Sequence, residues 1–131
     1  MLGKIHHAGY LVDDLDSVVA WYEKTFEGKQ TASGDTPGGG KVAFVRLGDG
    51  EVELIQPADK ADLGGRSWAY HHIGYVVDDV DKAMVELKAK GFKFATDAPI
   101  VNLAGYRLIH FDTSTTDGMR IHLTEASSLK H

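Results

Sequence analysis

One hundred and thirty-one residues, 43% hydrophobic and 25% charged, suit one globular domain or two small modules packed as one. A net charge of −5 argues against a nucleic-acid partner, and no apolar run approaches the roughly 20 residues of a membrane span. The lack of cysteine removes disulfides, thiolate nucleophiles and cysteine-type zinc sites, and MLGKIHH has no apolar leader, so the expected location is the cytoplasm. The seven histidines carry the chemical interest.

Residues 6–16 read HHAGYLVDDLD and residues 71–81 read HHIGYVVDDVD. A block that recurs at about half the chain length marks two copies of one supersecondary unit. In the first copy Lys4–Val12 alternates as a strand does. Asp14 is placed to cap a helix with apolar positions at Leu15, Val18, Val19, Tyr22 and Phe26, ending at Gly28. A second strand falls near Gly28–Ala32, and SGDTPGGG at 33–40 reads as a mobile loop suited to a lid. Val42–Leu47 and Glu51–Gln56 flank the turn GDG at 48–50, and Pro57 stops the hairpin.

After a polar connection at 58–70 the order returns. Tyr70–Val77 is a strand, Asp79 a cap, and Val80, Ala83, Met84 and Leu87 a helix stripe running to Gly91. A short strand near Phe92–Ala95 and strands at Tyr106–Phe111 and Met119–Thr124 complete the copy. Two β-α-β-β-β modules, 1–57 and 71–131, thus make one α+β domain.

Alternation puts Met119, Ile121 and Leu123 on one face of the last strand, with Arg120, His122 and Thr124 on the other. In Glu51–Gln56, Val52 and Leu54 share a face, with Glu51 and Glu53 opposite. With helices on the apolar faces, the polar faces line the interior of the curved sheets, where unpaired polar groups are costly. His7 and His72, at equivalent places in the repeated strands, can there join Glu53 and His122 around a metal. The bland alternatives are structural histidines copied with the module, a Glu53 as solvated as its neighbour Glu51, and a His122 that only supports a ligand by hydrogen bonding. His6 and His71 face the other way as surface or packing residues, and Tyr10 and Tyr75 are core aromatics. His110 is a candidate base, with a structural role as its alternative. The Asp13-Asp14 and Asp78-Asp79 pairs lack calcium-loop spacing and are explained by capping.

The paired modules with H-x-G openings resemble the vicinal-oxygen-chelate superfamily of glyoxalases, methylmalonyl-CoA epimerases, extradiol dioxygenases and resistance proteins. VAFVRLGDGEVELIQP (42–57), HHIGYVVDDVDKAMVELKAKGFKF (71–94) and Gly105 before the final hairpin are most similar to the epimerases. The resemblance implies a cup of curved mixed sheet, a homodimer, and metal ligands from the first and last strands of each module: His7, Glu53, His72 and His122. Three departures stand out. His122 occupies a position where epimerases and glyoxalases carry a carboxylate, TPGGGKV lacks the second acid/base carboxylate of the epimerases, and the connection at 58–70 is shorter.

Three neutral imidazoles and one carboxylate leave a divalent ion with net positive charge, a stronger Lewis acid than a site with two carboxylates. This set suits Zn, Co, Ni, Mn or Fe over Mg or Ca, so one such ion per chain is the expected cofactor. The expected function is a metal-dependent isomerase, epimerase or lyase acting on a small oxygenated substrate through an enolate-like intermediate, with Glu53 or His110 as the base. Two other readings stand beside it. One is an Fe(II) extradiol-type dioxygenase, although those sites resemble two histidines and a carboxylate on the last strand. The other is a non-catalytic resistance-type binding protein, a kind that usually lacks the four ligands.

Overall fold

The computed structural model describes residues 1–129. The first half of the chain runs β1 (Leu2–Val12), α1 (Leu15–Phe26), β2 (Lys29–Asp35), β3 (Lys41–Leu47) and β4 (Gly50–Gln56). The second runs β5 (Trp68–Val77), α2 (Val80–Ala89), β6 (Ile100–Val101), β7 (Arg107–His110) and β8 (Ile121–Glu125). The fold is therefore α+β, with the expected β-α-β-β-β order in both halves. None of the described helices is long and apolar enough to cross a membrane. Two compact units result: the contiguous stretch His7–His71, and Met1–His6 together with the described residues from His72 onward.

In the contiguous unit the strands lie in the order β2-β3-β4-β1-β5. β2, β3 and β4 form an antiparallel meander, and β4 then runs parallel to β1 with His7 opposite Glu51 and Gly9 opposite Glu53. α1 lays Leu15 and Val19 against Val12, Ala43, Val45, Val52 and Leu54, which removes that apolar face from water. Asp14 starts the helix by accepting from the Ser17 backbone N–H and hydroxyl. Those bonds, the hydroxyl's first, hold the Asp14 carboxyl below its ordinary value of 3.8. A carboxyl depressed on folding stabilises fully above that ordinary value and loses its contribution as pH falls through the lower folded one.

In the other unit the order is β1-β5-β8-β7-β6. β5 runs parallel to β8 with Gly74 opposite His122, and β7 runs antiparallel to β8 with His110 opposite His122. α2 sets Val80, Ala83 and Met84 against Val77, Ile109, Phe111 and Leu123. Each helix is also tied at its first turn to the last strand of its own half. The Leu15 N–H donates to Gln56 Oε1 at 2.9 Å, and the Val80 N–H donates to Glu125 Oε2 at 3.0 Å.

Three local expectations are corrected. The segment 33–40 is not a mobile loop: β2 continues to Asp35, and a turn closed by Thr36 N–H to the Gly40 carbonyl at 2.9 Å returns the chain to β3. α1 ends one residue before its expected stop, because Glu27 takes the left-handed C-cap conformation. Gly28 is needed for space instead, since a Cβ there would lie 2.8 Å from Val45 Cγ1. The apolar run at Phe92–Ala95 forms a single bridge, Phe94 to Phe111, and the short strand lies further on at Ile100–Val101. Phe92 and Phe94 are apolar because they pack on the α2 cluster rather than because they pair in a ladder.

Leu54, 1% exposed, sits in the α1 cluster, so Leu54→Ala should cost about 2–5 kcal/mol in urea unfolding. Gly40→Ala should also lower the urea midpoint, because its Cβ would come within 2.5 Å of the Gln56 carbonyl oxygen.

Candidate metal centre

His7 and Glu53 meet in the contiguous unit. β1 brings in His7, 3% exposed, and β4 brings in Glu53 opposite Gly9, where no side chain fills the space beside it. His7 Nε2 and Glu53 Oε1 stand 3.6 Å apart, too long for a hydrogen bond. Two groups each about 2.1 Å from one ion can span that distance. The Phe44 ring stands edge-on to His7 at 6.4 Å and gives the imidazole an apolar wall.

The equivalent pair in the other unit is His72 and His122. His72 comes from β5 at 1% exposure, and β8 places His122 opposite Gly74 as β4 places Glu53 opposite Gly9. Here the rings stack, with centroids 4.0 Å apart and planes 16° from parallel. His110 stacks on the far side of His122 at 3.8 Å and 9°. Three strands thus deliver three near-parallel imidazoles, with His122 between the other two. Imidazole nitrogens and a carboxylate oxygen are donors of the kind a first-row divalent ion takes, so both pairs fit such an ion chemically.

The site neighbourhood holds a residue that sequence reasoning misplaced. Glu51 is not solvated but 6% exposed, and its Oε2 accepts from the Thr31 hydroxyl at 2.7 Å. The register of β2 on β3 slips between Gln30 and Ala32, so Thr31 sits in a bulge. A bulge re-aims a side chain, here onto the buried carboxylate. Alternation already put Glu51 on the face of Glu53, so an interior Glu53 implied an interior Glu51. His6 is a packing residue as expected, edge-on to Tyr106 at 5.2 Å, and Tyr10 and Tyr75 pack against the two apolar clusters.

A second acidic group, Asp79, Asp81 and Glu125, has ligand atoms within 4.8 Å of one another. Its charge is already answered. Arg107 donates to Asp81 at 2.8 Å and to Glu125 at 2.9 Å, while Asp79 caps α2. The Asp81 hydrogen bond is the main reason the Arg107 guanidinium is raised above its ordinary value.

The family model described as Glyoxalase/Bleomycin resistance protein/Dioxygenase superfamily matches residues 6–111. The chain belongs to that superfamily. The matched stretch contains His7, Glu53, His72 and His110, and His122 lies beyond it. Among superfamily relatives, the human mitochondrial methylmalonyl-CoA epimerase is 25% identical over 132 residues, covering 95% of this chain and 75% of the human protein. The ethylmalonyl-CoA/methylmalonyl-CoA epimerase of Cereibacter sphaeroides is 26% identical over 137 residues, with 95% and 99% covered. The crystal structure of methylmalonyl-CoA epimerase from Mycobacterium tuberculosis superposes with a TM-score of 0.82 at 20% identity, over 95% of this chain and 88% of that one. That structural likeness shows the shared fold.

Thr31→Val removes a donor from the buried Glu51 carboxylate and should cost about 1–3 kcal/mol in urea unfolding. Thr31→Ser keeps the hydroxyl and should retain most of that stability.

Proposed function

We propose that the chain is a metal-dependent epimerase that inverts a carbon centre next to a carbonyl in a small oxygenated substrate. The substrates named for its relatives favour a 2-substituted malonyl thioester. On this reading His7, Glu53, His72 and His122 together hold one divalent ion, Zn, Co, Ni, Mn or Fe. The observation that carries it is the matched register of the two halves. In each, the last strand offers a ligand-type side chain opposite a glycine, beside a buried histidine of the first strand.

Such an ion, when bound, polarises a substrate carbonyl and stabilises the negative charge that develops as the neighbouring C–H bond breaks. His7 and His72 are buried and serve binding and orientation, and Phe44 keeps water from one side of His7. The proton passes from one face of the carbon to a carboxylate oxygen of Glu53, once it is released from the ion, or to a ring nitrogen of His110. A different proton, from solvent or from the other of these two groups, reaches the opposite face and inverts the centre. The working form is a cytoplasmic homodimer.

Protein purified without added metal should contain one transition-metal ion per chain. It should also catalyse deuterium uptake at the α-carbon of methylmalonyl-CoA in heavy water, read by NMR. A metal-free protein whose melting temperature ignores added Zn, Ni, Co and Mn would sink the proposal. Oxygen consumption with Fe(II) would move the assignment to a dioxygenase. His122→Ala should weaken metal binding about tenfold or more, and unchanged affinity would remove His122 from the ligand set.

Glu53→Gln and His110→Phe separate the two candidate bases, because phenylalanine keeps a flat ring against His122 while carrying no proton. A loss of about 10²–10⁴-fold in exchange rate in His110→Phe with metal content intact identifies His110 as the base, whereas an unaltered His110→Phe rate assigns that role to Glu53.

A further inference from the structure

α1 and the beginning of β5 line an open cavity of about 760 Å³ within the contiguous unit. Its walls are Tyr10, Val18, Trp21, Tyr22, Leu54 and Trp68. Tyr10 lies on β1 at the opposite strand parity to His7, and Leu54 on β4 at the opposite parity to Glu53. The cavity therefore opens on the helix-covered face of the sheet, away from the His7–Glu53 pair. We propose that it is a second binding site, for a planar aromatic ring carrying an amine, and this proposal stands independently of the epimerase reading.

The aromatic part of that ligand follows from the walls. The chain has two tryptophans, far apart in sequence, and both line this cavity. They are 52% and 59% exposed, an unusual amount of bare indole surface. Trp68 stands edge-on to Tyr10 at 5.8 Å, and Trp21 edge-on to Tyr22 at 5.1 Å, so each indole packs against a neighbouring phenol ring. Aromatic walls of this kind offer flat rings a large apolar stacking surface.

The polar part follows from charge. Asp13, Asp14 and Ser17 line one end of the cavity. Lys60 answers Asp13 at 2.7 Å, whereas Asp14 is held by Ser17 alone among nearby hydrogen-bonding side chains, so that end remains net negative. Among the described residues no hydrogen bond engages the hydroxyl of Tyr10 or Tyr22, and burial, followed by the nearness of Tyr10, raises the Tyr22 phenol above its ordinary value of 10.0. Both phenol oxygens can thus accept from an N–H. Carboxylates and electron-rich indole faces attract a cation and repel an anion.

Intrinsic tryptophan fluorescence reads this cavity directly, because both fluorophores belong to it. Phenethylamine should change the emission saturably, and phenylacetate, the same ring with the opposite charge, should bind about tenfold more weakly. Trp21→Phe and Trp68→Phe each leave one reporter, and both variants should respond. Asp14→Asn keeps the helix cap and removes the charge, and should erase most of the preference for the amine. Three results would each overturn the proposal. They are no saturable response to phenethylamine, equal affinity for phenylacetate, and emission that shifts with protein concentration alone, which would assign the groove to a second copy of the chain.

Discussion

Parallel pairing of β1 with β4 sets Gly9 against Glu53, and parallel pairing of β5 with β8 sets Gly74 against His122. Side chains alternate along a strand, so a slip of one residue in either ladder would turn the candidate ligand towards the helix and bring Leu54 or Leu123 out of its cluster. Burial of the apolar face under α1 or α2 therefore fixes the polar face as well. The energy that holds the site's geometry comes from the leucines and valines behind it rather than from the histidines and carboxylates themselves. The same ladders bring Gln56 and Glu125 to the first turns of the helices, so packing and capping enforce one register.

The two halves have kept this frame and diverged in what they hang on it. The first offers an imidazole facing a carboxylate, with a further buried carboxylate, Glu51, steadied by a threonine that a bulge has turned inward. The second offers imidazoles only, stacked in a column whose middle ring has little room to rotate.

Much of this was legible in the sequence because duplication repeats its own signals. The HHxGY openings, the Asp14 and Asp79 caps and the helix stripes appear twice, and each copy supports the reading of the other. Alternation put Glu53 and His122 on the polar faces of their strands, and the family resemblance singled Glu53 out from Glu51. Two things escaped for physical reasons. Turn chemistry at 33–40 looked disordered because glycine content reports conformational freedom and not the hydrogen bonds that Thr36 makes with Gly40. Glu51 looked solvated because its stabilising partner, Thr31, is brought to it by a slip in strand pairing that no periodicity announces. The stack of His110 on His122 is a cross-strand contact, and depends on the β7–β8 register rather than on spacing along the chain.

Leu2–His6 belongs to the same unit as the chain beyond His72, where a methyl at Gly3 would already touch the Val76 carbonyl. This gives folding an enforced order. Leu2–His6 gains its neighbours in that unit only once β5 has been made, whereas His7–Leu11 of the same strand already has β4 beside it. Until then the apolar side chains and backbone groups of Leu2–His6 lack those neighbours. Closing so distant a contact is slow, so this stretch orders late in folding.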